Sequence, residues 1–154
     1  MKKILAFTIF ITVCFPSFSQ LPDAKKWHKY EIVFKSSVTY ENPIQDIRNF
    51  EITFTSPTGI VKTINGFWDG GTTWKARFMP CETGEWSFET KCSDEKNRDL
   101  HGQKGTFICN SEDEELDIYK HGPVINPPGT YYLTHEDGTP FFWLACTAWN
   151  GALR

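Results

Sequence analysis

The densest set of potential ligands in the chain is the acidic run Ser111-Glu112-Asp113-Glu114-Glu115-Leu116-Asp117. Clustered carboxylates can hold calcium, but a calcium loop needs the Asp-x-Asp-x-Asp-Gly spacing, which is missing here. The run therefore reads as a solvated linker. His28, His101, His121 and His135 could serve as bases or metal ligands, yet they are scattered and no nucleophile motif accompanies them. Cys81, Cys92, Cys109 and Cys146 contain no Cys-x-x-Cys pair, so neither a zinc knuckle nor a redox motif is indicated. If Cys92 and Cys109 flank a turn within 93–104, Cys92 lies near the turn and Cys109 at the far end. Free thiols are the expectation. No catalytic residue, metal site or cofactor is predicted. The formal charge of −3, with no Lys/Arg cluster after the first residues, argues against nucleic acid as a partner.

The elements that would position any site are strands. Tyr30, Ile32 and Phe34 alternate with Glu31, Val33 and Lys35, and Phe50, Ile52 and Phe54 with Glu51, Thr53 and Thr55. Ser36–Tyr40 could add a short strand. Glu41-Asn42-Pro43 reads as a turn, with Ile44 reaching back to the core. Ser56-Pro57-Thr58-Gly59 has the residues of a type I turn, and Ile60–Ile64 returns from it. The stretch from Gly66 to Thr90 carries the heaviest aromatic load. It reads as a hairpin in which Met79 pairs with Glu85, so that Phe78 faces Trp86, Ala76 faces Phe88 and Lys75 faces Glu89. Gly105–Cys109 closes the set. Six or seven short strands with regular turn signals predict an all-β, immunoglobulin-like antiparallel sandwich over residues 20–118.

Two flanking segments differ in character. Met1-Lys2-Lys3, the apolar run Ile4–Phe15 and Ser17-Phe18-Ser19 have the form of a secretory signal peptide over residues 1–19. The apolar run is shorter than the roughly 20 residues that span a bilayer. Export to the periplasm, cell surface or medium is the expectation, with no membrane association after cleavage. At the other end, Asp137-Gly138 predicts a hairpin turn. Phe141-Phe142-Trp143-Leu144-Ala145 comes next without alternation, as in a strand covered on both faces. Such a strand needs a crossover and a partner. Residues 119–154 are therefore expected to hold a junction and the first strand of a second domain.

Gly66-Phe-Trp-Asp-Gly, then Trp74-x-x-Arg77-Phe78-x-Pro80, then Gly84-x-Trp86 resemble the N-terminal β-sandwich, a domain of unknown function, that precedes bacterial apiosidase-like glycoside hydrolases. His121-Gly-Pro-Val and the run from Asp137 to Trp149 resemble its junction with a (β/α)8 barrel, which implies that residues 119–154 hold this junction and the first strand of an incomplete (β/α)8 barrel. One departure is Cys146, where many relatives carry an acidic residue. The resemblance implies a supporting, non-catalytic sandwich for a barrel that binds carbohydrate, with intramolecular packing of the two. Glycoside hydrolysis needs two carboxylates flanking the scissile bond, and barrel enzymes place them at the C-terminal ends of several strands. Beyond the first such strand, Trp149 could stack on a sugar ring while Thr147 and Asn150 hydrogen-bond its hydroxyls. Trp68, beside a turn, could offer a second platform. Two other readings stay open: an autonomous carbohydrate-binding module, and an immunoglobulin-like interaction domain with no sugar role. A module should expose an aromatic row on one sheet. A supporting domain should bury its aromatics or direct them to the junction.

Overall fold

A computed structural model describes residues 19–112 and 115–145 of the chain. In chain order the elements are β1 (Ser19–Gln20), β2 (Ala24–Lys25), β3 (Tyr30–Lys35), α1 (Pro43–Asp46), β4 (Phe50–Thr55), β5 (Val61–Asn65), β6 (Phe67–Trp68), β7 (Thr73–Phe78), β8 (Gly84–Cys92), β9 (Lys104–Asn110), α2 (Asp117–His121), β10 (Val124–Ile125), β11 (Leu133–His135) and β12 (Pro140–Phe141). One sheet runs β1-β9-β8-β4-β5, with β2 also on β9; a second runs β3-β7-β6. Two facing sheets joined in this way make an immunoglobulin-like sandwich. Apart from the two short parallel pairings of β1 and β2 with β9, the neighbours are antiparallel.

The alternation seen in the sequence decides which side chains enter the core. Phe50, Ile52 and Phe54 of β4 point inward, as do Tyr30, Ile32 and Phe34 of β3. Trp74, Ala76 and Phe78 meet Trp86 and Phe88 across the gap between the sheets. Phe54 stacks on Phe78 with ring centroids 4.2 Å apart, and Trp86 lies 5.1 Å from Phe78 and 6.3 Å from Phe107. These rings carry both a large apolar area and the stacked and edge-to-face geometries that aromatic pairs favour.

The expected hairpin from Gly66 to Thr90 does not form. β7 pairs with β3 and β6, whereas β8 pairs with β4 and β9. Residues 79–83 cross from one sheet to the other, turning at Gly84 with φ +118°. Lys75 consequently meets Glu31 and Asp69, at 3.3 and 2.6 Å, while Glu89 pairs with Lys104 at 3.0 Å. The Phe78–Trp86 contact survives because it is made across the sandwich rather than along a ladder. Ser36–Tyr40 is not a strand, and α1 replaces the expected loop after Asn42. Ile44 is 71% exposed, and Ile47 fills the core position instead. Of the expected strand over 141–145 only Phe141 is in a strand, in an antiparallel pairing with β11, and residues 142–145 carry none. Cys81, Cys92 and Cys109 are free, as expected. Cys109 stands opposite Gly84, at the far end of β8 from Cys92.

A buried polar knot closes one end of the sandwich. Asn97 is 1% exposed. Its Nδ2 donates to Ser36 Oγ at 2.9 Å and Tyr40 Oη at 2.8 Å, and Tyr40 donates in turn to Asp94 Oδ2 at 2.8 Å. Burial, with the Asp94 carboxylate adding to it, pushes the Tyr40 phenol up to about 12. Asn97→Ala leaves two hydroxyls without their donor. It should lower stability by about 1–3 kcal/mol in urea unfolding, whereas an unchanged midpoint would show that water replaces the amide.

Candidate functional site

Two places in the fold gather the candidate residues, and they lie at opposite ends of β7. At the first, β6 pairs with β7 so that Trp68 faces Trp74 and Phe67 faces Lys75. The turn after Trp68 uses Gly70 and Gly71, both at positive φ, and Trp68 Nε1 donates to Gly71 O at 2.9 Å. The indole is therefore fixed, its N–H is already engaged, and 36% of the residue remains exposed. It borders a cavity of about 360 Å³ lined by Ile44, Ile47, Arg48, Phe67 and the buried Trp74. On the outer face, Arg77 lies 4.9 Å from the Phe67 ring centroid and bonds Glu31 at 2.8 Å. Arg77, with Lys75, holds the Glu31 carboxyl below its usual range, and Asp69, with Glu31, holds the Lys75 ammonium above its own. Glu31, Asp69, Lys75 and Arg77 thus satisfy one another, and none of the four is an unpaired general acid or base.

At the second place, α2 and the three-stranded sheet β10-β11-β12 meet the sandwich. His28 stacks on Tyr119 at 3.9 Å, and Trp27 lies under Gly122, the residue that ends α2. Trp27 is the one non-glycine residue at positive φ among the described residues, at 62°. Asp137 accepts from the Thr139 backbone N–H at 2.9 Å and bonds His121 Nδ1 at 2.6 Å. His135 is 5% exposed, and its Nδ1 donates to Gly122 O at 2.8 Å. The His121 and His135 rings, fourteen positions apart in the sequence, sit 5.6 Å apart. The spacing that makes them look scattered is closed by the antiparallel pairing of β10 with β11, in which Val124 stands opposite His135.

The Thr139 N–H, and after it His121, draw the Asp137 carboxyl down to about 2. A depressed carboxyl stabilises the turn fully above its unfolded value of about 3.9, and that contribution is lost as pH falls through about 2. The amides of Thr139 and Gly138 should therefore shift in a titration between about pH 4 and 2. An Asp137 signal titrating at the ordinary value would contradict the bond.

Thr147, Trp149 and Asn150 lie outside the described residues, as does Cys146. Trp68 is described and does not approach the junction. It pairs with Trp74, whereas Trp27 bonds Pro80 O at 2.9 Å, six residues further along. At about 3.3 Å per residue that places the two ends roughly 20 Å apart. Exposed aromatics are unevenly spread. Apart from Trp68, the large ones among the described residues are Tyr131, Tyr132, Phe142 and Trp143, all in the junction segment. The outer face of β4, β8 and β9 offers instead Thr53, Thr55, Ser87, Glu89 and Lys104 around shallow polar depressions. Among the described residues no group of three His, Cys, Asp or Glu could hold a metal ion, and no helix is long and apolar enough to cross a membrane. Sequence reasoning missed Trp27, because a lone Trp in the polar stretch 20–29 gives no sign of a left-handed backbone or of a partner near residue 122.

The family model for the domain of unknown function DUF5060 matches residues 23–93. The crystal structure of a putative glycoside hydrolase from Bacteroides vulgatus ATCC 8482 is similar with a TM-score of 0.64 and 33% identity, over 79% of this chain and 22% of that one. The chain thus spans about a fifth of the length of that relative. The Lin-41 filamin domain aligns at a TM-score of 0.38 and 13% identity, over 61% of this chain and 85% of that one. No curated protein matches.

Proposed function

We propose that this chain is the N-terminal, non-catalytic sandwich of an exported glycoside hydrolase, and that its work is to carry a catalytic domain C-terminal to it. One observation carries the reading: the sandwich buries its aromatics between its sheets, and the exposed ones gather in the junction segment. Tyr131, Tyr132, Phe142, Trp143 and Leu144 form the kind of apolar surface that soluble monomers rarely leave open. The match of residues 23–93 and the likeness to a putative glycoside hydrolase supply the class of partner. Glu89 and Glu95 border one shallow depression on the outer face of the larger sheet, but Glu89 is already paired with Lys104 at 3.0 Å, which does not favour the acid and nucleophile roles that glycoside cleavage needs. Catalysis, with Thr147, Trp149 and Asn150 at its rim, would belong to a (β/α)8 barrel reached through this junction. Export rests on the first 19 residues, and the mass of the mature N-terminus in the exported protein tests it.

The competing reading, an autonomous carbohydrate-binding module, has the single Trp68 cavity in its favour. A row of aromatics on one sheet, as a module would need, is not seen among the described residues. Titration of the chain with soluble plant and microbial glycans, followed by Trp fluorescence, separates the two. No saturable change is expected. A saturable change abolished by Trp68→Ala would establish the module and displace the supporting role.

A further inference from the structure

The structure points to a role for Trp27: we infer that it is a positioning residue, the key of a rigid coupler that fixes the direction in which the chain leaves the sandwich. This rests on the reading that a further domain lies C-terminal to the junction, and it adds how that domain would be held.

A tryptophan at φ 62° is an outlier, because a bulky side chain in the left-handed region crowds its own backbone. Such strain persists only where the surroundings over-determine it. Here they do. Lys26 N–H donates to Asn110 O at 2.8 Å and Trp27 N–H to Pro80 O at 2.9 Å, which pins the turn to β9 and to the crossing after β7. Trp27 belongs to no part of the core cluster, yet it is only 8% exposed. Its cover comes from Lys26, whose Nζ lies 5.2 Å from the ring centroid, and from the junction. A Cβ on Gly122 would lie 3.0 Å from Trp27 Cε2 and 3.0 Å from Glu136 Cβ, and Gly122 itself has φ +83°. Glycine is required there twice over, for its backbone and for the space.

The contact does not stand alone. His28 stacks on Tyr119 with an interplanar angle of 15°. Lys25 pairs with Glu112 at 2.5 Å. His135 then ties β11 to the same Gly122 carbonyl. One turn of the sandwich, residues 25–28, thus holds the chain at residues 112, 119 and 122. Contacts spread over about ten residues restrain rotation as well as separation, which a single contact would not.

The test uses the chain itself, by nuclear magnetic resonance. Residual dipolar couplings of residues 117–141 should fit the alignment tensor of the sandwich. In Trp27→Gly, which relieves the strained backbone and removes the whole side chain, they should not. Amide exchange over 117–141 should rise by about tenfold or more while β4 and β8 stay protected. Trp27→Phe, which keeps a flat ring, should restore part of the coupling. Two results overturn the proposal: independent alignment of 117–141 in the unaltered chain, or unchanged couplings in Trp27→Gly. Neither depends on whether a catalytic domain is attached, so the coupler and the supporting role can fail separately.

Discussion

Trp86→Ala is expected to be the most destabilising single substitution in the chain, at about 3–5 kcal/mol. Trp86 is 0% exposed and stands at the centre of the aromatic stack, between Phe78 of one sheet and Phe107 of the other. Truncation removes the largest buried side chain and leaves a cavity walled by rings that cannot collapse without losing Phe54 and Phe107 as neighbours. It also strips Glu82 O of the indole N–H that bonds it at 2.9 Å. A domain of this size is stable by about 5–15 kcal/mol, so the loss is a large fraction of the whole. Urea unfolding monitored by circular dichroism would show the midpoint fall with the slope retained. A loss below about 1 kcal/mol would mean that Trp86 is not the keystone its packing describes.

Gly66→Ala should come next, and by the opposite mechanism. A Cβ at this position would lie 2.3 Å from Phe50 Cδ1, 2.6 Å from Cε1 and 3.0 Å from Ile52 Cδ1. The Phe50 ring has nowhere to go. It is held edge-on by Phe34 at 5.3 Å and by Trp74 at 5.8 Å. The backbone cannot retreat either, because Gly66 N–H donates to Phe50 O at 2.7 Å. Overpacking of this kind costs about 1–3 kcal/mol, and more where neither side can yield. The double variant Gly66→Ala with Phe50→Leu should recover part of the loss. Failure of that rescue would place the strain elsewhere.

Much of the fold is legible in the chain, and the part that is not has a physical cause. Period-2 alternation tells which face of a strand is buried, and it does so for Phe50, Ile52 and Phe54 and for Trp74, Ala76 and Phe78. Alternation does not tell which sheet a strand joins. Trp86 and Phe78 satisfy the same pairing whether they meet along a ladder or across a core, so the crossing at residues 79–83 looks like a hairpin turn in the sequence. Ile44 and Ile47 illustrate a second limit. Both are apolar and three apart, and only the four-residue helix decides that Ile47 turns inward. The junction is the least legible part. The contact between Trp27 and Gly122 joins residues from opposite ends of the described chain, and neither carries a local sign of the other.

The same contact bears on where the sandwich ends. A boundary at residues 118–119 suggests that cutting before Tyr119 would improve solubility by removing Phe142, Trp143 and Leu144. α2 runs across that position, and a cut there also removes the Tyr119 ring from His28 and the cover from Trp27. Solubility and stability should therefore move in different directions on shortening. A cut after Phe141, which keeps Gly122 and β10 to β12, should remove the exposed residues 142–144 without uncovering Trp27.

Hydroxyl-radical footprinting of Tyr131, Tyr132, Phe142 and Trp143 tests the proposed supporting role most directly, comparing residues 1–154 alone with the same residues joined to a C-terminal glycoside hydrolase domain. These side chains are exposed in the chain alone. They are expected to become protected in the joined protein while Trp68, at the far end of β7, keeps its reactivity. Equal labelling of the junction aromatics in both, or protection at Trp68 in their place, would contradict the supporting role.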